Sequence, residues 1–187
     1  MVAHPFVTLI ARGDEYPVAT QVPVLITERE GKLFLRGHIM RKTDHHLALE
    51  KDGHALVMFT GAHAYISASW YPNPQVASTW NYSAVHAQGQ LRFTDEADLL
   101  DLLSRLTAHF ENNPDSPALM EKMSPEYIQP MLKAIVAFEI AIENIEHVFK
   151  LSQNRDKKTY HTIIDHLEEG STEDKMVAEE MRGLVKN

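Results

Sequence analysis

Thr79-Trp80-Asn81-Tyr82-Ser83-Ala84-Val85-His86-Ala87-Gln88-Gly89-Gln90-Leu91-Arg92-Phe93 is the stretch whose reading decides the fold. It has no proline and one glycine, and it carries the aromatic and β-branched residues that suit a pleated surface. It predicts one long strand, bent at Gly89. On such a strand Trp80 and Tyr82 point one way and Asn81 the other. Trp80 and Tyr82 are equally consistent with core packing and with a wall for a planar ligand.

Upstream of it the chain also reads as strands. Phe6–Ile10 is apolar and β-branched and meets a turn at Gly13-Asp14. Val18–Ile26 predicts a second strand, with Pro23 marking an edge or bulge. A turn at Glu30-Gly31-Lys32 leads into Leu33–Ile39, so a hairpin is expected. Thr43 or Asp44 caps a short helix through Leu47 and Leu49, closed by Gly53. Ala55–Thr60 and Ala64–Ala68 read as two strands around a turn at Gly61–Tyr65. Ser69–Ser78, with Pro72 and Pro74, reads as a loop.

Downstream, Leu99, Leu102, Leu103, Leu106 and Phe110 recur at helical spacing after a cap at Thr94 or Asp95. Pro114 and Pro117 end that helix. Ser124-Pro125-Glu126 starts another, which Pro130 shortens or kinks. Ala134–Ile142 and Ile145–Leu151 read as two further strands. Tyr160, Ile163, Ile164 and Leu167 lie on one face of a helix before Gly170, and a last helix carries Met176, Val177, Met181 and Leu184. Short strands with inserted helices predict a mainly β, α+β barrel or sandwich. The expectation is one domain, 1–187, with a helical C-terminal extension at about 156–187.

The 187 residues carry a formal net charge of -8, so general attraction to nucleic acid or to anionic membranes is excluded as a driving force. Any bound anion must meet a local basic cluster. The chain has no cysteine, which excludes disulfides, thiolate metal sites and cysteine nucleophiles. The apolar stretches are too short to span a bilayer, and a cytoplasmic location is expected. The histidines show no metal-binding spacing: His45 and His46 diverge on a helix, and His161 and His166 are poorly placed for one face. They read as surface or capping residues. No carboxylate pair and no serine–histidine arrangement stands out.

Five segments are more specific: Ala19–Leu25, Leu35–Arg41, Gly61–Ser67 with Ser69–Pro72, Thr79–His86, and Phe149–Arg155. Their order and spacing resemble those of the PaiB-type FMN-binding negative transcriptional regulators, from about Pro5 to Arg155. Family members usually begin with a further helix-forming segment ahead of the first strand. The resemblance implies a split β-barrel of the pyridoxamine-phosphate-oxidase type, holding FMN in a groove at a homodimer interface.

FMN needs cations, hydroxyls and N–H donors for its phosphate, and an apolar or aromatic wall for its ring. Arg36, Arg41 and Lys42 form the densest basic cluster on a strand, with His38 and Met40 in the row of Arg36. Read alone, that cluster is also consistent with a solvated strand end. The resemblance implies cofactor contacts at Arg36, His38, Met40 and Arg41, and at Trp80, Asn81 and Tyr82. It implies the same for Lys150, Ser152 and Gln153, which read alone could form a plain strand-to-helix turn. Thr20 and Gln21 either donate to FMN or pair across the sheet. The resemblance names a repressor, but no basic recognition helix appears, so direct DNA binding is not expected and a small-molecule ligand or partner would carry regulation. The alternatives are an FMN-dependent oxidoreductase or haem-processing split barrel, with His38, His63 or Tyr82 positioning a substrate, and a cofactor-free interaction domain.

Overall fold

The computed structural model describes residues 1–73 and 75–185, so Pro74 of the expected loop lies outside the described residues. Seven strands form one sheet in the order β2-β1-β5-β6-β7-β4-β3. They are β1 (Phe6–Ala11), β2 (Val18–Pro23), β3 (Leu25–Arg29), β4 (Lys32–Met40), β5 (His54–Ile66), β6 (Thr79–Phe93) and β7 (Ile135–Lys150). Among the described residues five α-helices accompany them: α1 (Asp44–Lys51), α2 (Glu96–Glu111), α3 (Pro125–Ala134), α4 (Lys157–Glu168) and α5 (Thr172–Val185). The chain divides into two compact units, Met1–Phe59 with His86–Ile145, and Thr60–Val85 with Glu146–Asn187. The boundary falls inside β5, β6 and β7, so each strand contributes a segment to both units.

In the first unit β1 alternates as a half-buried strand should, with Val7, Leu9 and Ala11 inside. It pairs antiparallel with β2 and with β5. The predicted strand Val18–Ile26 is in fact two strands. β2 ends at Pro23, which has no N–H for a ladder, and after the single residue Val24 the chain re-enters as β3 at the other end of the strand order. One residue therefore joins the two sheet ends, which curls this part of the sheet. The β3–β4 hairpin forms as expected, with Arg29 opposite Lys32. Its turn residues Glu30 and Gly31 both have positive φ, 52° and 73°, as a type I′ turn requires.

Thr43 caps α1 and accepts from the backbone N–H of His46. Asp95 caps α2 and accepts from that of Asp98, and Leu99, Leu102, Leu103 and Leu106 bury against Leu132 and Ile135. Phe110, expected on that apolar face, is exposed. Ser124 caps α3, which runs through Pro130 to Ala134.

Two expected breaks in the strands are absent. Gly61–Tyr65 is strand, not turn: Ala62, Ala64 and Ile66 are buried while His63 and Tyr65 are exposed, the alternation of a continuous β5. Gly61 is needed because a Cβ there would lie 2.0 Å from Ser83 Oγ on β6. Likewise Ala134–Leu151 is not two strands. Glu143-Asn144 lacks glycine or proline, and β7 continues through it.

In the second unit α4 buries Tyr160, Ile163, Ile164 and Leu167 with Val177, Ala178 and Met181 of α5 against Ala62, Ala64 and Ile66. Met176 and Leu184, expected on the apolar face of α5, are exposed.

Candidate functional site

The predicted residues Thr20, Gln21, Arg36, His38, Met40 and Arg41 lie in the first unit. Thr20 and Gln21 pair with Leu9 and Thr8 in the β1–β2 ladder, Thr20 half-buried and Gln21 exposed. Arg36, His38 and Met40 share one face of β4, opposite the buried Leu35 and Ile39. Arg36 is not free there. It donates to Asp101 of α2 at 2.9 Å and to the Asp98 carbonyl at 3.4 Å, and its side chain is only 13% exposed. His38 is half-buried and its Nδ1 has no hydrogen-bond partner among the described residues. Desolvation by that burial lowers its pKa below the ordinary histidine value. Met40 is exposed. Arg41 donates its backbone N–H to the Ala134 carbonyl and its Nε to that of Ile135, both at 2.9 Å, and Lys42 beside it adopts a positive φ of 63°.

Trp80, Asn81, Tyr82, Lys150, Ser152 and Gln153 lie in the second unit, and four of them meet at one cavity of about 590 Å³. Thr79, Phe149, Lys150, Ser152, Gln153 and Arg155 line it. Asn81 forms its floor with no exposed surface of its own. The Asn81 Oδ1 accepts from Ser152 Oγ at 3.0 Å, and its Nδ2 lies 3.5 Å from the Met181 sulfur. Asn81 thus holds Ser152 at the point where the chain turns with φ of 60°, a conformation non-glycine residues adopt only when fixed by their surroundings. Lys150 donates to the Thr79 hydroxyl. Gln153 closes the turn on itself, accepting from the Leu151 N–H at 2.8 Å and donating to the Phe149 carbonyl.

Arg155 is fixed differently, its guanidinium 4.4 Å from the ring centre of the buried Tyr71. Asp156, the acid beside it, is engaged at the N-terminus of α4. It accepts from the Thr159 hydroxyl at 2.6 Å and the Thr159 N–H at 3.1 Å, and these bonds hold its carboxyl below the usual range. Among the described residues no ion pair engages Lys150, Arg155 or Lys157.

Trp80 and Tyr82 project from β6 on the face opposite Asn81, and Trp80 is 51% exposed. Tyr65 meets Trp80 edge-on at 5.7 Å, and the His63 ring lies 5.9 Å from it. His63 Nδ1 is 2.8 Å from a carboxylate oxygen of Glu173 on α5. In Ser69–Pro72, Trp70 stacks on His166 at 4.8 Å and Tyr71 is buried, so both rings pack within this unit. His46, expected on the surface, is also buried, against Phe93. No cluster of histidine and acidic residues suited to a metal occurs among the described residues.

The donors present suit a phosphate: an ammonium, a guanidinium, the Thr79 hydroxyl and side-chain amides around one cavity. Thr79, Asn154 and Arg155 belong to that lining but were not among the predicted contacts. Arg155 and Asn154 were legible as part of the polar run after β7. Glu173 was not, because it is 110 residues from His63 and nothing local marks it.

A family model described as "Putative FMN-binding domain" matches residues 1–144. The chain is 35% identical over 184 residues to the protease synthase and sporulation protein PAI 2 of Bacillus subtilis, covering 98% of this chain and 88% of that one. Among solved structures, the FAD and heme binding protein from Mycobacterium smegmatis aligns with a TM-score of 0.59 and 20% identity, covering 84% of this chain and 71% of that one. The flavocytochrome Anf3 from Azotobacter vinelandii aligns with a TM-score of 0.56 and 15% identity, covering 84% and 67%. At these identities the two structures share the fold alone, a split β-barrel.

Proposed function

The chain belongs to this FMN-binding domain family, and on that basis we propose that it is a cytoplasmic homodimer that holds FMN, with Lys150, Ser152 and Gln153 among its cofactor contacts. The observation that carries the reading is the cavity around Lys150. In an acidic chain it gathers cations that meet no carboxylate among the described residues, beside hydroxyl and amide donors. A phosphate dianion is the natural counterpart of such a lining. The exposed rings of Trp80 and Tyr82, on the other face of β6, are read as a wall for the isoalloxazine of a site completed in the dimer. Arg41 and His38, and less directly Arg36, Met40, Thr20 and Gln21, are read as contacts completed in the dimer.

Support for the dimer comes from β7. From Glu143 to Lys150 every residue is exposed on both strand faces, including Ile145, Val148 and Phe149, which a partner subunit would cover. Residues 1–187 are read as one functional domain. If the chain affects transcription, it acts through the flavin, a small molecule or a partner protein, because the net charge of -8 opposes contact with DNA.

The test is an absorbance spectrum of purified protein titrated with FMN, with Lys150→Ala and Arg41→Ala beside it and the mass measured by light scattering. Flavin bands that weaken in the variants, from a particle of two chains, are expected. A monomer that leaves FMN unbound would overturn the reading and favour the cofactor-free interaction domain.

One observation favours a second reading, a redox or haem-handling enzyme. The Nδ1 of His63 is held on Glu173 and its ring lies beside Trp80, the arrangement that orients metal-ligating and proton-transferring histidines. The solved relatives named above include a heme-binding protein and a flavocytochrome. Haem titration of wild type and His63→Ala decides it: a Soret band lost in the variant supports the reading, and no band in wild type removes the haem branch.

A further inference from the structure

The turn that follows β7 serves two cavities. Gln153 and Arg155 line the one around Lys150, and the same two residues line a second, of about 410 Å³, with Lys157, Tyr160, His161 and Leu184. The second cavity is chemically distinct from the first. One side is basic, from Arg155, Lys157 and His161; the other is apolar, from the edge of Tyr160 and from Leu184. The Tyr160 hydroxyl donates inward to the Met181 carbonyl at 2.8 Å, so the ring presents carbon to the cavity and not its polar tip. His161 is oriented by its Nδ1, 2.6 Å from the Lys157 carbonyl.

Four of the chain's 18 lysines and arginines fall between Lys150 and Lys158. The one acid in that run, Asp156, is turned into α4 by Thr159. Asp156 thereby occupies the Thr159 N–H of the first turn of α4. A basic rim next to an apolar wall, sharing Gln153 and Arg155 with a phosphate-suited cavity, matches a ligand with a second phosphate and a planar base.

We propose that the second cavity is a subsite for the adenosine-phosphate half of a dinucleotide whose other phosphate is held at Lys150, so that the chain accepts flavin adenine dinucleotide with the adenylate seated against Tyr160 and Leu184. This rests on the FMN reading for the first cavity. Arg155 lies at the junction, where it faces both phosphates of the pyrophosphate. Lys157 and His161 bind the adenylate side alone.

The experiment compares FMN, FAD and AMP by calorimetry on the full chain, for wild type and for Lys157→Glu combined with His161→Glu. Both positions are exposed, so the variant is expected to fold, and its circular dichroism checks this. FAD affinity is expected to fall by about tenfold in the variant, with FMN affinity unchanged and AMP binding lost. Equal binding of FMN and FAD by wild type, or a variant that weakens neither FAD nor AMP, would overturn the subsite. If wild type binds neither flavin, the FMN reading itself fails. AMP then decides the second cavity alone: binding lost in the variant keeps it as a nucleotide site, and absence of AMP binding removes it.

Discussion

The basic residues of the first unit and those of the second have different fates. In the first, Glu139 on β7 is buried, its side chain 6% exposed, and it takes Arg29 at 2.5 Å and Arg92 at 2.8 Å. Arg36 is tied to Asp101, and Arg29 also lies over the Phe34 ring at 3.9 Å. In the second unit Lys150 and Arg155 contact a hydroxyl and an aromatic ring, and neither meets a carboxylate among the described residues. Cations that fasten strands to one another have little left to offer a ligand. Cations held in place by neutral groups keep their charge available. Density of arginine and lysine in a sequence therefore points less reliably to an anion site than the count of carboxylates able to neutralise them.

The contrast is tested hardest by removing both partners of Glu139. Arg29→Ala with Arg92→Ala leaves a buried carboxylate unpaired, and we expect a loss of about 3 kcal/mol. This is the lower end for such a break because both guanidinium groups reach solvent. Chemical denaturation reads it, and flavin affinity measured well below the transition should not move. A double variant as stable as wild type would mean that Glu139 is already hydrated.

Next in size is Asn81→Ala. It strips the acceptor of the Ser152 hydroxyl and opens a hole beneath the cavity, at an expected cost of about 1–2 kcal/mol. Because Ser152 depends on it for a left-handed conformation, FMN affinity should fall with stability. Stability lost without affinity would show Asn81 to be a packing residue only.

Lys150→Met should do the opposite. Its ammonium is exposed and its contact is a single hydroxyl, so the denaturation midpoint should stay nearly fixed while FMN binding weakens about tenfold. Unchanged affinity would move the phosphate to the Arg41 region.

The comparison also explains what was legible in the sequence. The β3–β4 hairpin, the full length of β6, the Asp95 and Ser124 caps and the buried faces of α2 and α4 all depend on residues within a few positions of each other. The break predicted in β5 was wrong for an identifiable reason. Gly61 looked like a turn, but a strand approaching as close as Ser83 requires glycine just as a turn does, and only the neighbouring strand tells the two apart. The switch at Val24 was invisible because both sheet ends look like one apolar run. At the candidate site the polar run from Lys150 to Arg155 was readable. That Arg36 had a carboxylate partner 65 residues away was not.

The smallest effect belongs to His38. Burial lowers its folded pKa below the unfolded value of 6.5, so the unfolded chain binds the extra proton first. Its contribution to stability is complete above about pH 6.5 and is lost as the pH falls through the folded pKa. The ring faces no recorded hydrogen-bond partner at Nδ1, so nothing compensates the charge when it forms. Replacing it in His38→Gln should leave stability at pH 7.5 almost unchanged and flatten the decline between pH 7 and pH 5 relative to wild type. Identical slopes would mean that His38 remains hydrated in solution, as it would if the Arg36–His38–Met40 face of β4 were open to ligand and not packed.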